Sequence, residues 1–407
     1  MAGQEFEWFV GIDWASTEHE VRLLDARGTD RGRRSVPHTG RALGELGDWL
    51  AEVSAGHPER VAVAIELVRG AIVEALLARG FAVFGINPKQ LDRFRDRYTV
   101  AGAKDDRLDA FVLADTLRTD RARYRALQLD DPQIIRLRGV VEAHEELTQE
   151  LRRLCNRLRA QLERFYPQVL RLCPAADEPW VWALLRLAPT SAHAGRLRGE
   201  RVDRLLRGHR IRRLERAEVM TALREKALPV APGTVEAASA QVALLLARLR
   251  LAHAQHAQCE QQIDAALEDL AGDDGESDAA LLRSLPGVGR AVAARLLVDA
   301  PALLAARDYG ALRSQSGIAP VTRRSGKRRV VTMRRACSGR LRQAMYHWAF
   351  GSMQRDPRSR AIYAAARTRG QTHGRALRGL ADRLLRILIA MLKTRTPYDP
   401  DRIRRAA

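Results

Sequence analysis

Residues 9–13 read Phe-Val-Gly-Ile-Asp and residues 61–66 read Val-Ala-Val-Ala-Ile-Glu, and these two stretches decide the fold of the N-terminal part. Each is a short apolar run that ends in a carboxylate, as a buried strand does when it reaches a polar edge. Residues 20–26 alternate in polarity before Gly28, which indicates a hairpin with the first strand. Residues 81–86 form another apolar run. We therefore expect four strands.

Helical patterns fill the intervals between these strands, at about residues 40–54, 70–79, 89–97 and 105–119. Strands that alternate with helices predict an α/β domain with a largely parallel sheet that is covered on its faces. We assign this domain to residues 1–127.

Residues 128–277 have the pattern of long amphipathic helices. Leucines recur every three or four residues from Leu147 to Leu162, and a matching helix is expected from about Thr234 to Leu270. Their apolar stripes could be buried in a hairpin within the chain or in a coiled coil between subunits. We interpret residues 173–230 as a helical insertion.

Residues 278–395 predict a third, mostly α-helical domain, and residues 396–407 a tail. The turn Leu285-Pro286-Gly287-Val288-Gly289 resembles a helix-hairpin-helix turn, in which free backbone N–H groups near Gly287 and Gly289 bind a phosphate oxygen. An ordinary turn between two helices is the alternative.

The chain has 407 residues and a formal net charge of +20. Such an excess predicts a polyanionic partner, and nucleic acid is the usual one. The N-terminal residues lack the pattern of a signal peptide, and the chain has no long apolar run, so we expect a cytoplasmic protein that does not bind membranes. The four cysteines form no Cys-x-x-Cys pair, which indicates reduced thiols rather than a zinc cluster.

Four carboxylates are candidates for a metal site: Asp13, Glu66, Asp106 and Asp109. The first two end strands, and the spacing of three places the other two on one helix face. Asp105 competes with Asp106 for this assignment. Carboxylates that converge repel one another unless a divalent cation neutralises them, and Mg²⁺ prefers oxygen ligands. These residues therefore predict a Mg²⁺ site, and surface carboxylates are the alternative.

The segment from Val321 to Met345 carries nine Lys or Arg residues and no Asp or Glu. We expect it to bind phosphates. The candidate nucleic-acid-binding residues are Gly287, Gly289, Arg323, Arg324, Lys327, Arg328, Arg329, Arg334, Arg335, Arg340 and Arg342. Ser325 lies in the same cationic loop, where its hydroxyl could meet a phosphate. Chemistry alone leaves open whether Ser325 is a nucleophile or an ordinary loop serine.

Together these residues resemble the DEDD insertion-sequence transposases of the IS110 group, which are also described as bridge-RNA-guided recombinases. The N-terminal resemblance rests on the stretches that end at Asp13 and Glu66, on Ile86-Asn87-Pro88 and on residues 104–110, Lys-Asp-Asp-Arg-Leu-Asp-Ala. The C-terminal resemblance rests on residues 285–289, on residues 316–320, Ser-Gly-Ile-Ala-Pro, and on residues 324–327, Arg-Ser-Gly-Lys.

The resemblance implies a RuvC-like domain with the RNase H fold, in which Asp13, Glu66, Asp106 and Asp109 bind the metal. It also implies that Ser325 is the nucleophile that attacks a DNA phosphodiester. Members of this group act as homo-oligomers, dimers or tetramers, in which the acidic site of one subunit faces the serine of another. A structured RNA is thought to pair with donor and target DNA, so that base pairing carries the choice of target.

Two other functions remain open at this point. A RuvC-like junction endonuclease would use the same carboxylates with water as the nucleophile. A nucleic-acid-binding protein without catalytic activity would need only the basic surfaces. The response of DNA cleavage to loss of Ser325 separates the three.

Overall fold

The computed structural model describes residues 5–98, 105–273, 275–326 and 328–400. The chain forms two compact units, Met1–Asp131 and Pro132–Ala407. Lys104, the first residue of the stretch 104–110, and the candidate residue Lys327 lie outside the described residues, as do residues 401–407 of the expected tail.

The N-terminal unit is built on a five-stranded mixed sheet in the order β3-β2-β1-β4-β5. The strands are β1 (Trp8–Asp13), β2 (Glu18–Asp25), β3 (Asp30–Pro37), β4 (Val61–Ile65) and β5 (Ala82–Gly85). The two pairings among β1, β2 and β3 are antiparallel, whereas β1 with β4 and β4 with β5 are parallel.

This sheet confirms the α/β character of the N-terminal part, but the expectation of a largely parallel sheet was wrong. The pattern analysis missed β3, whose sequence Asp-Arg-Gly-Arg-Arg-Ser-Val-Pro is mostly exposed and has little apolar periodicity. Because β3 lies at the edge of the sheet and leaves most of its side chains in solvent, hydrophobicity carries almost no signal there.

Helices cover both faces of the sheet. They are α1 (Gly40–Val53), α2 (Ala71–Ala78), α3 (Pro88–Arg95) and α4 (Asp106–Asp120). Val10 and Ile12 of β1 face a core shared with α1 and α2, whereas Phe9 faces a core shared with α3 and α4. Side chains alternate between the faces of a strand, so Gly11 and Asp13 lie on the side of α4.

The C-terminal unit is mostly helical. Its elements are α5 (Pro132–Phe165), α6 (Gln168–Leu172), α7 (Pro179–Leu187), α8 (Ser191–Gly195), α9 (Gly199–Gly208), α10 (Arg216–Leu223), α11 (Thr234–Ala271), α12 (Asp278–Ser284), α13 (Arg290–Asp299), α14 (Pro301–Ala305), α15 (Tyr309–Gln315), β6 (Val321–Ser325), β7 (Arg328–Thr332), α16 (Gly339–Arg355), α17 (Pro357–Thr368) and α18 (His373–Thr394).

The long helices α5 and α11 pack against each other within the chain, as the hairpin interpretation predicted. They join two hydrophobic cores. One core gathers α6 to α10, the helices of the predicted insertion, around Leu158 and Leu249. The other surrounds Trp348 of α16 and includes Val141 of α5 and Ile263 of α11.

Within the described residues, no helix combines the length and the apolar character that crossing a bilayer requires. All four cysteines are free thiols, and Cys155 and Cys173 are buried. Burial raises the pKa of Cys155 to about 11, so this thiol stays protonated at neutral pH.

Candidate active site

Asp13 and Glu66 lie at the same edge of the N-terminal sheet. The parallel register of β1 and β4 pairs Ile12 with Ile65, so the two carboxylate residues follow paired positions. Ala62 and Ala64 of β4 face the core shared with α4, and Glu66 is next in that alternation. Both acidic side chains are partly exposed. The edge is thus acidic and open to solvent on the side of α4.

Gly11 brings α4 close to this edge. A Cβ atom at Gly11 would lie 1.9 Å from the carbonyl oxygen of Ala110 and 2.6 Å from the amide nitrogen of Ala114. Only glycine permits the helix backbone to approach the strand this closely.

The direction of α4 follows from two contacts. The guanidinium of Arg121, just past the helix end, lies 4.4 Å from the ring centre of Phe6, just before β1. The middle of the helix lies over Gly11. The helix therefore runs antiparallel to β1, and its first turn, with Asp106 and Asp109, is directed toward the strand end that carries Asp13.

Asp109 is almost completely buried, with 2% of its surface exposed. Arg95 of α3 donates two hydrogen bonds to this carboxylate, Nε to Oδ1 at 2.6 Å and Nη2 to Oδ2 at 2.8 Å. Asp106 is exposed. Asp105, the competing candidate, caps α4 by accepting a hydrogen bond from the backbone N–H of Arg107. A guanidinium thus neutralises one carboxylate of the first turn, and the other points into solvent.

The strand register and the direction of α4 point the four carboxylates toward one edge, but no three of them bring their oxygens within 4.8 Å of one another. Among the residues that the structure describes, three donor atoms within 4.8 Å of one another occur in two groups: His144, His256 and Glu260, and Cys173, Asp177 and Glu178. The acidic edge is not among them.

A histidine pair supports the turn after β1. His19 of β2 is buried, and its Nδ1 lies 3.4 Å from the backbone nitrogen of Ala15. Its Nε2 lies 2.9 Å from Nδ1 of His38, and the Trp14 ring stacks beside it at 6.4 Å. Burial, followed by the nearby His38, lowers the pKa of His19. A neutral imidazole therefore holds the segment that follows Asp13.

Ser325 ends β6 at the tip of a hairpin, where the sequence predicted a loop. The register pairs Ser325 with Arg328, Arg324 with Arg329, and Arg323 with Val330. Gly326, in the turn between the strands, has a φ of +55°, which favours glycine. Both strands leave most of their side chains in solvent, so the apolar periodicity that would reveal a strand is lacking.

The two faces of this hairpin carry different groups. Ser325 shares one face with Arg323 and Arg328, since residues two apart and residues directly opposite lie on the same side. Arg324 and Arg329 are cross-strand neighbours on the other face. Like charges in that position destabilise a hairpin, and a bound phosphate would remove the repulsion.

The remaining basic candidates differ in how much of their positive charge neighbouring side chains already neutralise. Arg340 pairs with Glu145 at 3.2 Å and with Glu142 at 3.4 Å, so α5 partly neutralises it. Arg342 donates to Sγ of Cys337 at 3.6 Å. Arg334 is half-buried and Arg335 is exposed.

The Gly287 turn packs against α16. A Cβ atom at Gly287 would lie 2.3 Å from the backbone nitrogen of Ser352, and the carbonyl of Pro286 accepts hydrogen bonds from Trp348 Nε1 and Ser352 Oγ. This packing accounts for glycine at 287. Gly289, the N-cap of α13, is exposed, and nothing lies within 4 Å of the place where its Cβ would be.

Two features of the structure, Arg95 and the group of His144, His256 and Glu260, were not predicted from the sequence. Arg95 and Asp109 are fourteen positions apart in the sequence and lie on different helices, so no helical spacing indicates the pair. The spacing of four between His256 and Glu260 is a signal that was available, but His144 comes from another helix.

Two family models match the chain. Residues 10–167 match a transposase model of the DEDD IS110 type, and residues 279–364 match the model described as "Transposase IS116/IS110/IS902 family". These two ranges contain the acidic edge and the serine hairpin.

Curated relatives agree with these models. The chain is 31% identical to the "Mini-circle putative transposase for IS117" of Streptomyces coelicolor, over 97% of this chain and 96% of that protein. It is 32% identical to the "Insertion element IS110 uncharacterized 43.6 kDa protein" of the same species, over 96% and 95% of the two chains. "Putative transposase y4uE" of Sinorhizobium fredii is 45% identical over 51% of this chain and 58% of its own length. The chain belongs to the IS110 family of insertion-sequence transposases.

Proposed function

We propose that this protein cuts and rejoins DNA with two groups: a Mg²⁺ site formed by Asp13, Glu66, Asp106 and Asp109, and a nucleophilic hydroxyl on Ser325. The observation that carries the proposal is the position of α4. Because Gly11 admits the helix against β1, the acids of its first turn extend toward the edge where Asp13 and Glu66 end neighbouring strands.

We infer an RNase H-like, RuvC-like fold for the N-terminal unit. The support is the strand order β3-β2-β1-β4-β5, in which three antiparallel strands continue into two parallel ones, with acids at the ends of β1 and β4. The functional division at residues 127, 277 and 395 is likewise our inference.

The donors at the acidic edge fit magnesium. They are all carboxylate oxygens, which Mg²⁺ prefers, and the ion leaves water positions free for a phosphate. The buried carboxylate of Asp109 already requires a cation, a need that Arg95 meets here. Asp106 fits better than Asp105, whose side chain caps the helix. When bound, Mg²⁺ would stabilise negative charge on the oxygens of a scissile phosphate.

Ser325 would act at the phosphodiester itself. Its hydroxyl loses a proton as the oxygen bonds to phosphorus, and the bond from phosphorus to one deoxyribose oxygen breaks. That oxygen takes up a proton. A hydroxyl of another strand then displaces the serine in the reverse exchange, which conserves the phosphodiester. Arg323 and Arg328, on the same face as Ser325, would hold the phosphate charge.

We further propose DNA and a structured guide RNA as partners of a homo-oligomer. The net charge of +20 and the acid-free hairpin support nucleic-acid binding. The guide RNA and the oligomer rest on the family resemblance.

The test uses a plasmid that carries the element with its own flanks, transcribed so that any flanking RNA is present. Wild type should form a covalent protein–DNA adduct that Ser325→Ala abolishes. Thr322→Ala, which removes a hydroxyl from the same hairpin, should retain the adduct.

Two other outcomes would each indicate a different function. Cleavage that persists in Ser325→Ala without an adduct would mean a nuclease that uses water. DNA binding without cleavage at any Mg²⁺ concentration would mean a binding protein alone.

A further inference from the structure

Helices α5 and α11 pack against each other through mostly apolar surfaces. Between the two hydrophobic cores, these contact surfaces carry polar side chains. On α5, His144 and Thr148 occupy inward positions that follow Val141. On α11, His256 and Glu260 occupy inward positions between Ala252 and Ile263. Leucine in these places would have continued the apolar contact of the hairpin.

The polar side chains converge. One donor atom each from His144, His256 and Glu260 lies within 4.8 Å of the others. The imidazole rings are 4.2 Å apart between their centres, and His144 Nε2 is 4.0 Å from Glu260 Oε1. Thr148 Oγ1 lies 3.1 Å from His256 Nε2. Side chains from two helices therefore meet at one point.

His144 and His256 each bring a ring nitrogen to this point. A neutral imidazole has a lone pair for a metal ion. Two imidazoles and a carboxylate interrupt the apolar packing of the two helices, which costs free energy unless polar partners compensate.

We propose that His144, His256 and Glu260 form a zinc site that joins α5 to α11. Two nitrogens and one carboxylate oxygen are a ligand set that Zn²⁺ accepts, with water as the fourth ligand. At metal–ligand distances of about 2.0–2.1 Å, tetrahedral ligands lie about 3.3 Å apart, so a closure of at most roughly 1.5 Å completes the site.

The surroundings fit this assignment. Arg290 lies 3.9 Å from Oε2 of Glu260, the oxygen not directed at His144, and Asp264 holds Arg290 at 3.0 Å. A cavity of about 220 Å³ adjoins His144 and is lined by His144, Thr148 and His347 among others. The carboxylate would thus face the ion with one oxygen and a guanidinium with the other.

The second three-residue group is less suited to a metal ion. Burial raises the pKa of Cys173, so its sulfur is held as a thiol rather than as the thiolate that binds zinc. The carboxylate of Glu178 already accepts hydrogen bonds from Arg213 at 2.5 Å and Trp180 at 3.0 Å.

The test measures zinc on the full chain. Protein is stripped with a chelator, supplied with excess Mg²⁺ to occupy the acidic edge, and titrated with Zn²⁺ at micromolar free concentration. Bound metal is counted by mass spectrometry after desalting. Co²⁺ as a second probe reports four-coordinate geometry through its visible absorption.

Wild type should bind one zinc equivalent more than His144→Gln, His256→Gln and Glu260→Gln, and each of these variants should weaken binding at least tenfold. The controls are Cys259→Ser, which removes the thiol next to Glu260, and His347→Gln, which alters the same cavity. Both should bind as wild type does. Circular dichroism checks that every variant is folded.

Zinc should also raise the thermal midpoint of wild type but not that of Glu260→Gln, a near-isosteric change on a partly exposed side chain. Equal zinc content in wild type and all three ligand variants would overturn the proposal, as would a wild type that binds no zinc under these conditions.

Discussion

Arg95 holds the carboxylate of Asp109 through two parallel hydrogen bonds of 2.6 and 2.8 Å. The pair links the end of α3 to the first turn of α4, at the edge of the sheet that carries the candidate metal ligands. The carboxylate is almost fully buried, and the guanidinium is 17% exposed. Because the pair is largely shielded from solvent, removal of one partner leaves the other charge buried without a counter-charge. This lowers the free energy of unfolding.

We expect Arg95→Ala to lower the free energy of unfolding by about 3 kcal/mol when no divalent ion is present, because a buried carboxylate loses its counter-charge. Mg²⁺ should then stabilise the variant more than it stabilises wild type, since the ion supplies the missing positive charge. Chemical denaturation with and without Mg²⁺ measures both effects. Arg95→Lys, which keeps the charge, is the control. An equal Mg²⁺ response in wild type and Arg95→Ala contradicts the prediction.

Gly11→Ala should prevent the close packing of α4 on β1. The added methyl group would meet backbone atoms of Ala110 and Ala114, which cannot move without shifting the helix. We expect a loss of several kcal/mol in the free energy of unfolding and loss of DNA cleavage. Gly139→Ala, in the interior of α5 with nothing near its Cβ position, should instead stabilise the chain by about 0.5–1 kcal/mol. Similar stability of the two variants would show that Gly11 does not fix the helix.

The cross-strand pair Arg324 and Arg329 should set the salt dependence of DNA binding. Replacing both with Gln removes two phosphate contacts, so the slope of log affinity against log salt should fall by about 2. The free hairpin should become more stable, because two like charges no longer oppose each other. Arg340→Gln should change the slope less, since Glu142 and Glu145 already pair with that guanidinium. Binding titrations at several salt concentrations make the comparison.

The buried His19 should make stability depend on pH. The folded-state pKa lies below the ordinary value of 6.5 because of burial and His38, so protons bind the unfolded chain more tightly. The contribution of His19 to the free energy of unfolding is therefore fully present above pH 6.5 and is lost as the pH falls toward the folded-state pKa. We expect a lower thermal midpoint at about pH 5.5 than at about pH 7.5, with a smaller drop in His19→Gln.

The sequence alone predicted the parts of the fold that hydrophobic periodicity marks. The strand ends at Asp13 and Glu66 and the two long helices are confirmed, because each buries a regular apolar face. Strand β3 and the hairpin that carries Ser325 were missed for the opposite reason, since both are exposed and rich in arginine.

The candidate site also contains features that the sequence predicts and features that it does not. The carboxylates could be named from their positions at strand ends and on a helix, and their roles stay predictions. Arg95 and the close approach at Gly11 depend on how helices cross the sheet, which no local spacing reveals.

Helix α5 has 34 residues and runs without interruption from one hydrophobic core of the C-terminal unit to the other. At 1.5 Å per residue it spans roughly 50 Å, about the length of fifteen base pairs of DNA. Together with α11 it forms a rigid two-helix connection between the two cores rather than a flexible linker. The helices α6 to α10 are therefore held at a fixed distance from the core around Trp348, which a flexible linker would not do.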